Sequence, residues 1–115
     1  MSPSAIEMAG ALARRDEGMA SSAQHAEEAQ PGWGERARDY VHRYPIIFGW
    51  ETPFTMEQAR QWAYAMGLDR PPEERAWGAV TQKLVRDGII EPVGYAPAAS
   101  SNGSPKRTYR LTVRP

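Results

Sequence analysis

Residues 71–95 read P-P-E-E-R-A-W-G-A-V-T-Q-K-L-V-R-D-G-I-I-E-P-V-G-Y, and a soft Pro/Ser/Asn/Gly segment then leads into K-R-T-Y-R-L-T-V at 106–113. Trp77, Val80 and Leu84, flanked by Ala76 and Val85, recur at offsets of three and four, the spacing of one buried helix face. Pro71-Pro72 cannot lie inside a helix but suits its beginning, so the pattern predicts a helix over 73–87 that stops at Gly88. Ile89–Tyr95 reads as a strand that Pro92 confines to an edge or a bulge. Ala96–Pro105 has no hydrophobic pattern and reads as a loop. Beyond it, Thr108, Arg110 and Thr112 alternate with Tyr109, Leu111 and Val113, a strand with one buried face.

The other side of the 73–87 helix carries Arg75, Ala79, Gln82 and Arg86 at spacings of four, three and four, with Gly78 and Lys83 beside them. Small residues in mid-helix let a partner surface come close, and Arg and Gln can both read base edges in a major groove. An ordinary solvated face would carry the same residue types, which are good surface helix formers. Lys106 and Arg107 stand where the loop meets the last strand, either as phosphate contacts or as charges that keep a loop solvated.

The chain has 115 residues, enough for one small domain with a real core. Four Trp and five Tyr imply that a few large aromatics do most of the filling. The absence of cysteine excludes disulfides and thiolate metal sites and fits a reducing, cytoplasmic setting. No apolar run approaches the roughly 18 residues of a membrane span. Glu7 near the N-terminus, with no apolar h-region, argues against a secretory signal. Net charge is zero, but it is unevenly spread. Residues 1–30 hold two bases against five acids, residues 31–69 four against five, and residues 70–115 eight against four. The positive excess falls on the last helix and hairpin, where a phosphate-facing surface would need it.

Residues 1–30 read as an N-terminal helical arm and 31–115 as the main domain. Ala5, Ala9, Leu12, Met19, Ala23 and Ala26 form a thin stripe over 5–29, weakened by Gly10 and Gly18 at about 1 kcal/mol each. Such a helix cannot stand alone; it is expected to dock on the core or exchange with a second copy, a mostly disordered leader being the alternative. Residues 33–44 form the next helix, with Trp33, Ala37, Tyr40, Val41 and Tyr44 on one face and Pro45 as its end. Residues 46–54 read as a buried connection with a short extended piece at 53–55. Thr55 and Gln58 make a capping-box pattern for a helix over 56–66 that buries Ala59, Trp62, Ala63 and Met66, with Gly67 as its stop. His25 and His42, without clustered carboxylates, make no metal site, and no cofactor is expected.

The sum is an α+β chain, mainly α: a capped helix, a turn, a second helix with a donor-bearing face, and a two-stranded C-terminal wing, behind an extra N-terminal helix. This order, with R-A-W-G-A-V-T-Q-K-L-V-R-D-G-I-I-E-P-V-G-Y-A-P, resembles the winged helix-turn-helix superfamily. More narrowly it is similar to small bacteriophage and prophage proteins in which R-A-W/F-G precedes a G-I/L-I…V-G-Y strand and a polar wing. The likeness extends through P-G-W-G-E-R-A, F-T-M-E-Q-A-R and P-P-E-E-R and covers about residues 14–110. It implies that Gln82, Lys83 and Arg86, with Lys106 and Arg107, face double-stranded DNA, and that Arg75 and Trp77 belong to the shared motif, Trp77 as core.

Two functions follow. One is a duplex DNA-binding regulator or replication accessory, acting as a homodimer, with helix 73–87 in the major groove and wing 96–107 on the backbone. Its site would be Arg75, Ala79, Gln82, Lys83, Arg86, Lys106 and Arg107. The other is a winged-helix protein adaptor in a phage replication or host-takeover assembly, using the N-terminal helix or the Trp50 region. An enzyme is not expected: Ser100, Ser101 and Ser104 have no nearby base, and Glu73-Glu74 read as acids complementing a helix dipole. The DNA reading requires the side of 75–86 turned away from Trp77 to be open to solvent.

Overall fold

The structure, a computed structural model, describes residues 18–97 and 105–113. It is an α+β arrangement, mainly helical. Among the described residues, α1 (18–29), α2 (Trp33–Phe48), α3 (Met56–Ala65) and α4 (Ala76–Arg86) pack with a three-stranded antiparallel sheet of β1 (Phe54–Thr55), β2 (Ile90–Pro97) and β3 (Pro105–Leu111). The strand order is β1-β3-β2, so the sheet is not the two-stranded wing expected: the brief β1 adds a third strand, with Phe54 opposite Tyr109 and Thr55 opposite Thr108.

Helix α2 buries Trp33, Ala37, Val41 and Pro45, every fourth residue of one face. Its start lacks a side-chain cap of its own, and the carboxylate of Glu27 in α1 does that work. The amides of Gly32 and Gly34 each donate to it at 2.8 Å. These bonds hold the Glu27 carboxyl below its ordinary pKa, Gly34 most of all. Pro45 does not end the helix. Its ring takes the inward position of one further turn, and packing offsets the missing hydrogen bond: Phe48 lies 4.7 Å from Tyr44 and 5.9 Å from Trp62, centroid to centroid. With Pro45 turned inward, Ile46, Ile47 and Phe48 point around the rest of the circumference and are exposed, Phe48 at 57%. Of the buried connection expected at 46–54, residues 46–48 are therefore helical and exposed, while Phe54 is buried at the start of β1, within the extended piece expected at 53–55. Gly49, at φ +129°, closes the helix.

Helix α3 opens as its sequence dictates. The Gln58 amide donates to Thr55 Oγ1 at 3.2 Å, and the Thr55 amide to Gln58 Oε1 at 2.9 Å. Gly67 (φ +108°) ends it in a Schellman motif, with Leu68 N–H on Ala63 O at 2.9 Å and Gly67 N–H on Tyr64 O at 3.1 Å. The reversal brings Leu68 into the core in place of Met66, which is 58% exposed rather than buried. The same motif ends α4 at Gly88, with Ile89 N–H on Leu84 O at 2.9 Å.

Helix α4 begins at Ala76, three residues later than expected. The acids before it sit in a tight turn with i→i+3 bonds from Ala76 to Glu73 and from Trp77 to Glu74, both 3.1 Å. Glu73 and Glu74 are thus not first-turn acids. The core joins α1 to the rest: Ala26, Trp33, Trp77, Val80, Leu84, Ile90 and Leu111 are buried together, and Trp33 meets Trp77 edge to face at 5.2 Å. Trp33 Nε1 donates to Asp69 O at 2.8 Å, which ties the α2 start to the turn before α4.

In the hairpin, Pro92 lies on the edge strand beside a bulge between Pro92 and Gly94. The strands run further than the sequence predicts, to Pro97 opposite Pro105, so Lys106 and Arg107 belong to β3, opposite Ala96 and Tyr95. The strand stops at Leu111, leaving Val113 exposed rather than on a buried face, while Thr108, covered by β1, is buried. Ala5, Ala9 and Leu12 of the expected arm, Glu7, and Ser100, Ser101 and Ser104 lie outside the described residues.

Candidate nucleic-acid interface

Helix α4 along its length from Trp77 to Arg86, Met19 of α1, the beginning of α3 and the hairpin border a groove of about 900 Å³. Gln82 and Arg86 reach it from α4, Lys106 and Arg107 from β3, and Arg60 from α3. Its apolar lining includes Met56, Val85 and Tyr109. Four residues singled out in the sequence therefore converge from two elements that lie some twenty positions apart. Strand β2 follows α4 and pairs with β3, which brings Lys106 and Arg107 to the same groove.

The other three expected contacts do not join them. Ala79 and Lys83 line a separate hollow of about 300 Å³ between α1, α2 and α4, which Arg86 also borders. Lys83 is paired with Asp87 at 3.2 Å. Arg75 lies against the start of α1, where a Cβ built on Gly18 would stand 3.5 Å from its Nη1. The open side expected along the whole of 75–86 is thus only half present. Helix α1 crosses the first turns of α4, and Met19 presses on Gly78 so closely that a Cβ there would lie 2.6 Å from its Sδ. The small residue that suggested a close-approaching ligand accommodates a helix of the same chain.

The cover is pinned. Ser22, fully buried, donates to Glu73 Oε2 at 2.6 Å, and His25 Nδ1 lies 2.8 Å from Glu73 Oε1. These contacts, Ser22 first, hold the Glu73 carboxyl below its ordinary pKa. Glu74, at the groove wall, is also engaged: Tyr64 Oη donates to it at 3.1 Å, and Arg60 and Arg70 approach at 3.5 and 3.7 Å. The Tyr64 hydroxyl in turn accepts from Trp77 Nε1 at 2.7 Å, and burial pushes its pKa up. Glu74 is thus answered by two guanidiniums, whereas Arg86 and Lys106 make no ion pair among the described residues.

Arg60, Met56 and Tyr109 were not singled out by the sequence. Arg60 follows the cap at Thr55 by little more than one turn, so the well-defined helix start was the available signal. Among the described residues, no group of three or more His, Asp or Glu is disposed to hold a metal ion, and no helix is long and apolar enough to cross a membrane. Comparison of the chain with protein-family models, with curated proteins and with solved structures gave no match.

Proposed function

We propose that this chain is a winged helix-turn-helix protein that binds double-stranded DNA through the groove between α4 and the hairpin. By the resemblance of its motifs it would be of bacteriophage or prophage origin, serving as a regulator or replication accessory. The observation that carries the reading is the convergence of Gln82, Arg86, Lys106 and Arg107 on one surface, where Arg60 answers Glu74 and Glu57 is the other acid of the lining. The order of elements is compatible with it: α3, a turn, α4 and then the hairpin of β2 and β3, with β1 added beside β3. Arg86, Lys106 and Arg107 would neutralise phosphates and supply affinity, while Gln82 would reach a base edge. The first turn of α4, where Met19 lies on Gly78, borders the same groove at its α1 end.

A titration of duplex binding against salt tests this. With three phosphate contacts, log affinity should fall against log salt with a slope of about 3, and Arg86→Ala or Lys106→Ala should each lower that slope by about 1. Binding that ignores salt, or no binding, would overturn the reading.

A second reading has its own observation. Ile46, Ile47 and Phe48 are three consecutive exposed apolar residues next to Trp50, a feature a surface normally avoids. A protein adaptor would use this end of α2 and would be indifferent to charge reversal at Arg86 and Lys106.

A further inference from the structure

We propose that the groove and the hairpin face beside it hold an unpaired strand, so that a duplex carrying a single-stranded tail is a better partner than a blunt duplex. This deepens the nucleic-acid reading above and rests on it. Shape is the first ground. A concavity of about 900 Å³ has the size of a small-molecule site and can enclose a few nucleotides.

Lining is the second. Bases in a duplex are stacked on one another and offer their edges, so an apolar, aromatic surface gains little from them; splayed bases offer their faces. Arg107 lies opposite Tyr95 and two residues before Tyr109, which itself lies opposite Pro92, so these four side chains share one face of the hairpin. Pro92, Arg107 and Tyr109 line the groove, and Tyr95 extends the same face outward. Tyr95 is 67% exposed, yet its ring is held: Arg107 Nη2 donates to its hydroxyl at 3.3 Å, with the guanidinium 5.8 Å from the ring centroid. A large aromatic kept in water beside a cation is a stacking platform with the charge to neutralise the phosphate that follows the stacked base. Arg86 and Lys106 extend that charge along the groove.

Fluorescence anisotropy on the full chain distinguishes the partners, using a blunt duplex of about 20 bp, the same duplex with an oligothymidylate tail of roughly 12 nucleotides, and the tail strand alone. The tail should raise affinity about 10-fold or more. Tyr95→Ala should weaken the tailed complex by about 5- to 100-fold and leave the blunt one within about 2-fold, while Tyr95→Phe, which keeps the ring, should retain the preference. Equal affinity for blunt and tailed duplex, with Tyr95→Ala silent, would overturn this inference and leave duplex binding standing. Binding to none of the three would overturn the nucleic-acid reading and this inference together. Displacement of the tail strand by an acidic peptide of equal charge at equal concentration would also overturn it, because the site would then recognise charge alone.

Discussion

The two halves of α4 have the same outward chemistry in the sequence and opposite fates in the fold. Toward its beginning, Gly78 lies under α1, which is fixed by Ser22 and His25 on Glu73 and by Met19 on the glycine, while Arg75, just before α4, is exposed beside the start of α1. Toward its end, Gln82 and Arg86 face a groove closed on the far side by Lys106 and Arg107. Periodicity alone assigns both halves to one surface. What separates them is where a neighbouring helix lands, and a missing Cβ at Gly78 allows that landing. A small residue on a polar helix face therefore signals close approach without saying whether the approaching surface belongs to a ligand or to the chain itself.

The sharpest way to break this contrast is to remove what both halves rest on. Trp33, 1% exposed, packs on Trp77 and bonds Asp69 O, so Trp33→Ala should cost about 3–5 kcal/mol in urea denaturation. Arg86→Ala, on the open half, should stay within about 0.5 kcal/mol of the parent. Next, Gly78→Leu should lift α1 at a cost of about 1–3 kcal/mol, accelerating amide exchange in residues 19–29 while α3 keeps its protection. Unchanged exchange in α1 would show that Met19 is not what seats it.

Smaller is the loss of the joint between α1 and α2. Glu27→Gln should cost on the order of 1 kcal/mol, as cap losses do. Because bonds from Gly34 and Gly32 set the folded pKa of Glu27 below the unfolded one, its contribution is complete above the ordinary carboxylate value of about 4.3 and is lost as pH falls through the folded value. The difference between parent and Glu27→Gln in thermal melts should therefore shrink below that pH and stay flat above it. Smallest is Gly88→Ala: an added Cβ meets nothing within 4 Å, so only the left-handed backbone at φ +73° is strained, by roughly 1 kcal/mol.

Local chemistry was legible in the sequence and long-range chemistry was not. The capping box at Thr55 and Gln58 and the stops at Gly67 and Gly88 are decided within six residues, and they stand as read. Pro45 misled because its local cost is offset by Phe48 packing on Trp62, across a helix pair that no local rule sees. Glu27 capping α2 and Glu73 binding α1 are acids whose partners lie in another element. Gln82, Arg86, Lys106 and Arg107 were visible as candidate contacts because helix period and hairpin position each point them outward. Tyr95 and Tyr109 became visible only with the register of β2 on β3, which the bulge after Pro92 sets.

Chemical-shift mapping of the 15N-labelled chain with a duplex bearing an unpaired tail shows which surface meets nucleic acid. Gln82, Arg86, Tyr95, Lys106 and Arg107 should be perturbed, with Ile46, Ile47 and Phe48 unmoved. Shifts confined to Ile46, Ile47 and Phe48, or none at any concentration, would contradict the nucleic-acid reading.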